Sequence, residues 1–69
     1  MDIGHRMKEL RVHYGLTQQE LADLVGVSRQ TIMQLARNRY NPSMLLAYSI
    51  AKVFDVAIED LFDFEEAAK

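Results

Sequence analysis

The sequence predicts a single all-α domain of five helices, and three observations predict it. Apolar residues recur at steps of three and four rather than in alternation, hydroxyl residues able to cap a helix precede three of the apolar stripes, and glycine or asparagine follows where stripes stop. A chain of 69 residues has room for one domain, expected to be ordered over about residues 3–64 and near the lower size limit for folding without disulfides or a metal. Apolar residues make up 49% of it and proline occurs once, which provides for a core and gives little sign of disorder.

The first helix runs from about Gly4 to Tyr14 with Ile3, Met7, Leu10 and Tyr14 on one face, and Gly15 is placed to end it in a left-handed turn. The second start is the best marked. Thr17 can cap it, Glu20 can reach back to close a capping box, and Leu16 and Leu21 form a hydrophobic staple. Leu21, Leu24 and Val25 give its inward stripe, and Gly26 supplies the positive φ of a sharp turn. Ser28 repeats the capping signal at once, with Val27 and Ile32 as a second staple, so the third helix begins about three residues after the second ends. Two short helices joined this tightly must cross at a steep angle. Asn38 tolerates a left-handed backbone, residues 39–42 form a loop around Pro42, and Ser43 caps a fourth helix reaching about Phe54. Its core face is Leu46, Ala47, Ile50, Val53 and Phe54. A last short helix, about Ile58 to Phe62, offers Ile58, Leu61 and Phe62, and fraying is expected after Phe64.

Several classes of function fall away on composition. Without cysteine there is no disulfide framework, thiolate zinc site or cysteine nucleophile, which fits a reducing compartment. The start lacks a basic region followed by an apolar stretch, and no segment approaches the ~20 apolar residues that span a bilayer, so a cytoplasmic location is expected. His5 and His13 lie on the polar side of the first helix and read as solvated side chains rather than as a metal pair. The carboxylates gather toward the C-terminus as a solubilising surface, and the three glycines are scattered singly, so neither an acid pair nor a phosphate loop is formed. An enzyme, a cofactor, a metal and a small-molecule ligand are not expected.

A net charge of −2 argues at face value against nucleic acid, but the distribution reverses that reading. From Leu24 to Phe54 there is no Asp or Glu, while Arg29, Arg37, Arg39 and Lys52 all fall there. On the third helix Ile32 and Leu35 point inward. Arg29, Gln30, Met33, Gln34 and Arg37 occupy an arc of about 140° on the opposite side at ~100° per residue. Arginine and glutamine can form paired hydrogen bonds to guanine and adenine edges in the major groove. The wet side of any amphipathic helix has the same periodicity, which therefore leaves the two readings level.

The blocks Thr17-Gln18-Gln19-Glu20-Leu21-Ala22, Gly26-Val27-Ser28-Arg29-Gln30-Thr31-Ile32 and Tyr40-Asn41-Pro42-Ser43 resemble the Cro and phage-repressor (Xre-like) helix-turn-helix family. The resemblance continues through Ile50–Phe54 and Ile58–Phe62 and covers about residues 5–62. It implies a five-helix lambda-repressor-like DNA-binding domain whose second and third helices form the helix-turn-helix, with the third in the major groove of double-stranded DNA. By position Ser28, Arg29, Gln30 and Gln34 match the family's base-reading places. Gln18 matches a phosphate grip at a helix N-terminus, and Arg37 and Arg39, with the backbone around Asn38, match the phosphate-contacting end of the recognition helix. The family commonly carries a glutamate at the position of Ala36, paired with an arginine at that of Arg11; here Arg11 stays without that partner, and is expected to turn to solvent or to backbone carbonyls. A glutamate is also frequent where Leu45 stands, and Ala57 replaces the usual capping serine of the fifth helix.

The resemblance implies a transcriptional regulator, most simply a repressor. Reading an operator with one short helix gives too little discrimination, so a homodimer on two half-sites is expected. Leu61, Phe62 and Phe64 are its expected contact, with Ile3 beside Phe64 and Leu45 as the next candidate. The rival from another class is a protein-interaction module such as an antitoxin, with DNA binding secondary or lost, which exposure of Leu45 and Met33 would favour.

Overall fold

The computed structural model describes residues 3–61, which contain five helices and no strand. They are α1 (Gly4–His13), α2 (Gln18–Val25), α3 (Arg29–Ala36), α4 (Met44–Val53) and α5 (Ile58–Leu61). Helix α2 packs on α3 and α4, α1 packs on α3 and α5, and α5 closes against α4. The core these contacts enclose is built from Met7, Leu21, Ile32, Leu35, Ile50, Phe54 and Leu61, each essentially without solvent contact. Leu16, Val25, Val27, Val53 and Ile58 pack around it, half-buried.

Three starts follow the local signals. Thr17 Oγ1 accepts from the Glu20 amide at 3.0 Å while Glu20 Oε1 accepts from the Thr17 amide at 2.9 Å, which completes the capping box of α2. Ser28 and Ser43 cap α3 and α4 by accepting from the Thr31 and Leu46 amides at 3.2 and 3.1 Å. Helix α5 has only half of such a box: Asp60 Oδ2 accepts from the Ala57 amide at 3.4 Å, and Ala57 has no hydroxyl to return the bond. Replacing Ala57 by serine should therefore stabilise the domain by about 1 kcal/mol. A thermal transition that does not rise in the serine variant would show that α5 gains nothing from a cap.

The capping box also makes α2 sensitive to acid. The Thr17 backbone amide, and after it the Thr17 side chain, hold the Glu20 carboxyl below its ordinary range. A carboxyl that ionises more readily folded than unfolded adds stability above its unfolded pKa, and this is lost as pH falls through the folded value. Glu20→Gln should thus be less stable than the parent at neutral pH, with the gap closing in acid. Denaturant titrations of both proteins across pH 2–7 measure this, and a gap independent of pH would refute it.

The first four helices stop in the same way, with a left-handed residue just past the end. Gly15, Gly26, Asn38 and Asp55 have φ of 70, 76, 55 and 54°. After α1, α3 and α4 the amides of Leu16, Arg39 and Val56 return to the carbonyls of Arg11, Gln34 and Ala51 at 2.9 to 3.0 Å, closing the terminal turn. Gly15, Gly26 and Asn38 are the residues the sequence assigns to this task. Asp55 is not, since aspartate carries no strong signal for it.

Packing changes other expectations. Leu24 is 60% exposed instead of lining the inward stripe. The buried residues of α2 are Leu21 and Ala22 with Val25 partly covered, and at ~100° per residue their common centre leaves Leu24 over 90° away. Tyr14 lies just past α1 and is half exposed; its ring tilts against Phe54 and its hydroxyl donates to the Phe54 carbonyl at 3.1 Å. Met33 is half-buried rather than exposed. Leu61 is completely buried within its own chain, so its side chain offers nothing to a second copy. Phe62 and Phe64 lie outside the described residues.

Candidate nucleic-acid interface

Helix α3 turns Ile32 and Leu35 into the core, and this fixes what faces out. Arg29 and Gln30 stand exposed in its first turn, Gln34 is half-buried one turn on, and Arg37 and Arg39 are exposed where the chain leaves the helix. No hydrogen bond or ion pair among the described residues engages these five side chains, so their donors and acceptors are available to a ligand. The Ser28 hydroxyl is less so, being occupied by its cap and by Thr31 Oγ1 at 3.1 Å. Gln18, the first residue of α2, is half-buried. The capping box takes the amides of Thr17 and Glu20 and leaves those of Gln18 and Gln19 at the positive end of the helix. Lys52 is exposed on α4, its ammonium 5.7 Å from the centre of the Tyr48 ring.

The side chain of Asn38 has a task that local sequence does not reveal. Its Oδ1 accepts from the amides of Ile3 and Gly4 at 3.1 and 3.0 Å. Helix α1 has no capping side chain of its own, since Ile3 stands at its start, and so the residue ending α3 caps α1 across the fold. Close approach makes this possible: a Cβ built on Gly4 would lie 2.4 Å from the Ala36 carbonyl oxygen. Of the groups assigned to the phosphate-contacting end, Arg37 and Arg39 thus present cationic side chains, and Asn38 presents backbone.

Arg11 takes the second of its two expected courses. With alanine at position 36, its guanidinium donates to the Leu16 carbonyl at 2.7 Å, just before the cap of α2. His5 and His13 do not meet: His5 pairs with Glu9 at 2.9 Å, and His13 stands edge-on to Tyr14. No group of three possible metal ligands comes together among the described residues, and no described helix is long and apolar enough to cross a membrane.

An acid-free helix face with unengaged arginine and glutamine, flanked by cations and a helix N-terminus, can grip phosphates and reach base edges. The similarities of the chain agree with that chemistry. Residues 7–61 match the helix-turn-helix family HTH_3. An HTH-type transcriptional regulator of Archaeoglobus fulgidus is 56% identical over 61 residues, covering 88% of this chain and 87% of that protein. The immunity repressor of Bacillus phage phi105 is 30% identical over the whole chain, which spans 48% of it. Among solved structures, the Bacillus subtilis biofilm regulator SinR in complex with DNA superposes with a TM-score of 0.81 at 34% identity, covering 88% of this chain and 98% of that one. The chain thus belongs to the HTH_3 family of Xre-like helix-turn-helix proteins and is a transcriptional regulator with a helix-turn-helix DNA-binding fold.

Proposed function

We infer that the domain binds a two-fold symmetric operator as a homodimer and represses transcription by occupying it. The observation that carries this reading is the outer face of α3, where Arg29, Gln30 and Gln34 are unengaged, no acid stands nearby in sequence, and Arg37 and Arg39 follow at the end. Arg29, Gln30 and Gln34 read base edges, with Ser28 beside them; Gln18, Arg37, Arg39 and the backbone at Asn38 hold phosphates. Likeness to a phage immunity repressor supports repression over activation. Two copies place their α3 helices in successive major grooves roughly 34 Å apart.

Such a dimer needs exposed apolar surface. Leu61 has none to give, and among the described residues Leu45, 75% exposed on α4 beside the exposed Met44 and Tyr48, is exposed over the largest fraction of any large apolar side chain. Sedimentation at micromolar concentration should find a dimer free or on a palindromic duplex, and a monomer in both states would refute that part.

Selection of genomic fragments on the immobilised protein tests the reading as a whole. It should enrich one short, nearly palindromic sequence, whereas a pure interaction module would enrich none. Arg37→Ala and Arg39→Ala should each weaken operator and unrelated DNA alike and reduce the salt slope by about 1. A loss confined to the operator would make these arginines base readers instead.

A further inference from the structure

Two independent features join the start of α1 to the end of α3. One is the pair of bonds from the Ile3 and Gly4 amides to Asn38 Oδ1, spanning 35 and 34 residues. The other is the seat of Gly4 on the Ala36 carbonyl, which no residue with a Cβ could occupy unchanged. Both act on the turn that presents the two cations. Asn38 holds φ at 55°, its amide returns to the Leu35 carbonyl at 3.0 Å, and the Arg39 amide returns to the Gln34 carbonyl at 2.9 Å. The direction in which Arg39 leaves α3 is set by this one left-handed residue, next to Arg37, whose amide still bonds the Met33 and Gln34 carbonyls at 3.2 Å. A glycine would make the same turn with less strain, so the carboxamide is what asparagine adds.

We propose that Asn38 is a positioning residue for the grip on the DNA backbone: its side chain clamps the chain's first described residues to the recognition helix and thereby holds Arg37 and Arg39 in place. This rests on the DNA-binding reading above. Ile3 is buried and Gly4 has no side chain, so neither offers a side chain to DNA directly. The physical effect is preorganisation, because a turn held from one side only must be ordered when phosphate binds.

Asn38→Gly tests the proposal, since it keeps the left-handed turn and removes the carboxamide together with its bonds to the Ile3 and Gly4 amides. Tyr14→Phe is the control, deleting the hydrogen bond to the Phe54 carbonyl between the C-terminal ends of α1 and α4. Binding is measured for operator and random duplexes over a range of salt, at a temperature where all three proteins are folded, with amide exchange of residues 3 and 4 followed in parallel. In the parent protein both amides should exchange slowly, and in Asn38→Gly they should open. Affinity of Asn38→Gly for both duplexes should fall about fivefold, the freedom of two arginine side chains, while Tyr14→Phe binds as the parent does. A merely structural role would lower the thermal transition in both variants and leave the affinity of folded protein unchanged, which would overturn the proposal. Fast exchange of the two amides in the parent would overturn it as well. A parent protein that retains no duplex would refute the DNA-binding reading itself and the proposal with it.

Discussion

Replacing Gly4 by alanine is expected to destabilise the domain by about 2 kcal/mol, although alanine is the better helix former. Propensity alone favours the change by at most about 1 kcal/mol, the value for a helix interior, because glycine loses more backbone entropy on folding and Gly4 is the first residue of α1. Against this stands the Ala36 carbonyl, 2.4 Å from where the new Cβ would be. The obstacle is backbone at the end of α3, not a side chain that can swing away, so α1 must shift and strain its bonds to Asn38. Forcing a methyl into packed structure costs about 3 kcal/mol at the upper end of the usual range, and the clash therefore wins. Thermal unfolding should show a transition lower by roughly 8 to 16 °C for a domain of this size. A variant as stable as the parent would mean that the two helices can part without loss.

Truncating Arg29 or Gln34 to alanine should weaken binding to the best operator by about 1 to 3 kcal/mol and relax the sequence preference at the base each one faces. Both stand on the outer face of α3, clear of internal bonds, so their loss removes contacts without opening the core. Gln34 is half-buried, with its carboxamide free of hydrogen bonds among the described residues. Titrations on the operator and on duplexes changed one base pair at a time decide the matter. If Gln34→Ala lowered operator and unrelated DNA by the same factor, Gln34 would be a phosphate contact and the reading face would be centred on Arg29 and Gln30.

The sequence by itself determined where α2, α3 and α4 begin and where α1, α2 and α3 end, because those signals act within about five residues. Thr17 with Glu20, Ser28 and Ser43 are bonded as their spacing requires, and Gly15, Gly26 and Asn38 turn left-handed where expected. It also determined the outer face of α3, since Ile32 and Leu35 leave one side for Arg29, Gln30 and Gln34. The missing acid opposite Arg11 was legible too, but the carbonyl that Arg11 found depended on how α1 meets the start of α2. Tertiary structure alone decided that Leu24 faces water, that Tyr14 reaches Phe54, and that Leu61 is spent on the core instead of a second copy. It alone placed Gly4 on Ala36 and Asn38 on the first turn of α1. Periodicity ranks the residues around one helix but does not say how far a neighbour's cover extends, least of all in helices of two turns. A bond between residues 35 apart leaves no local pattern, for it exists only once the core has brought two helix ends together.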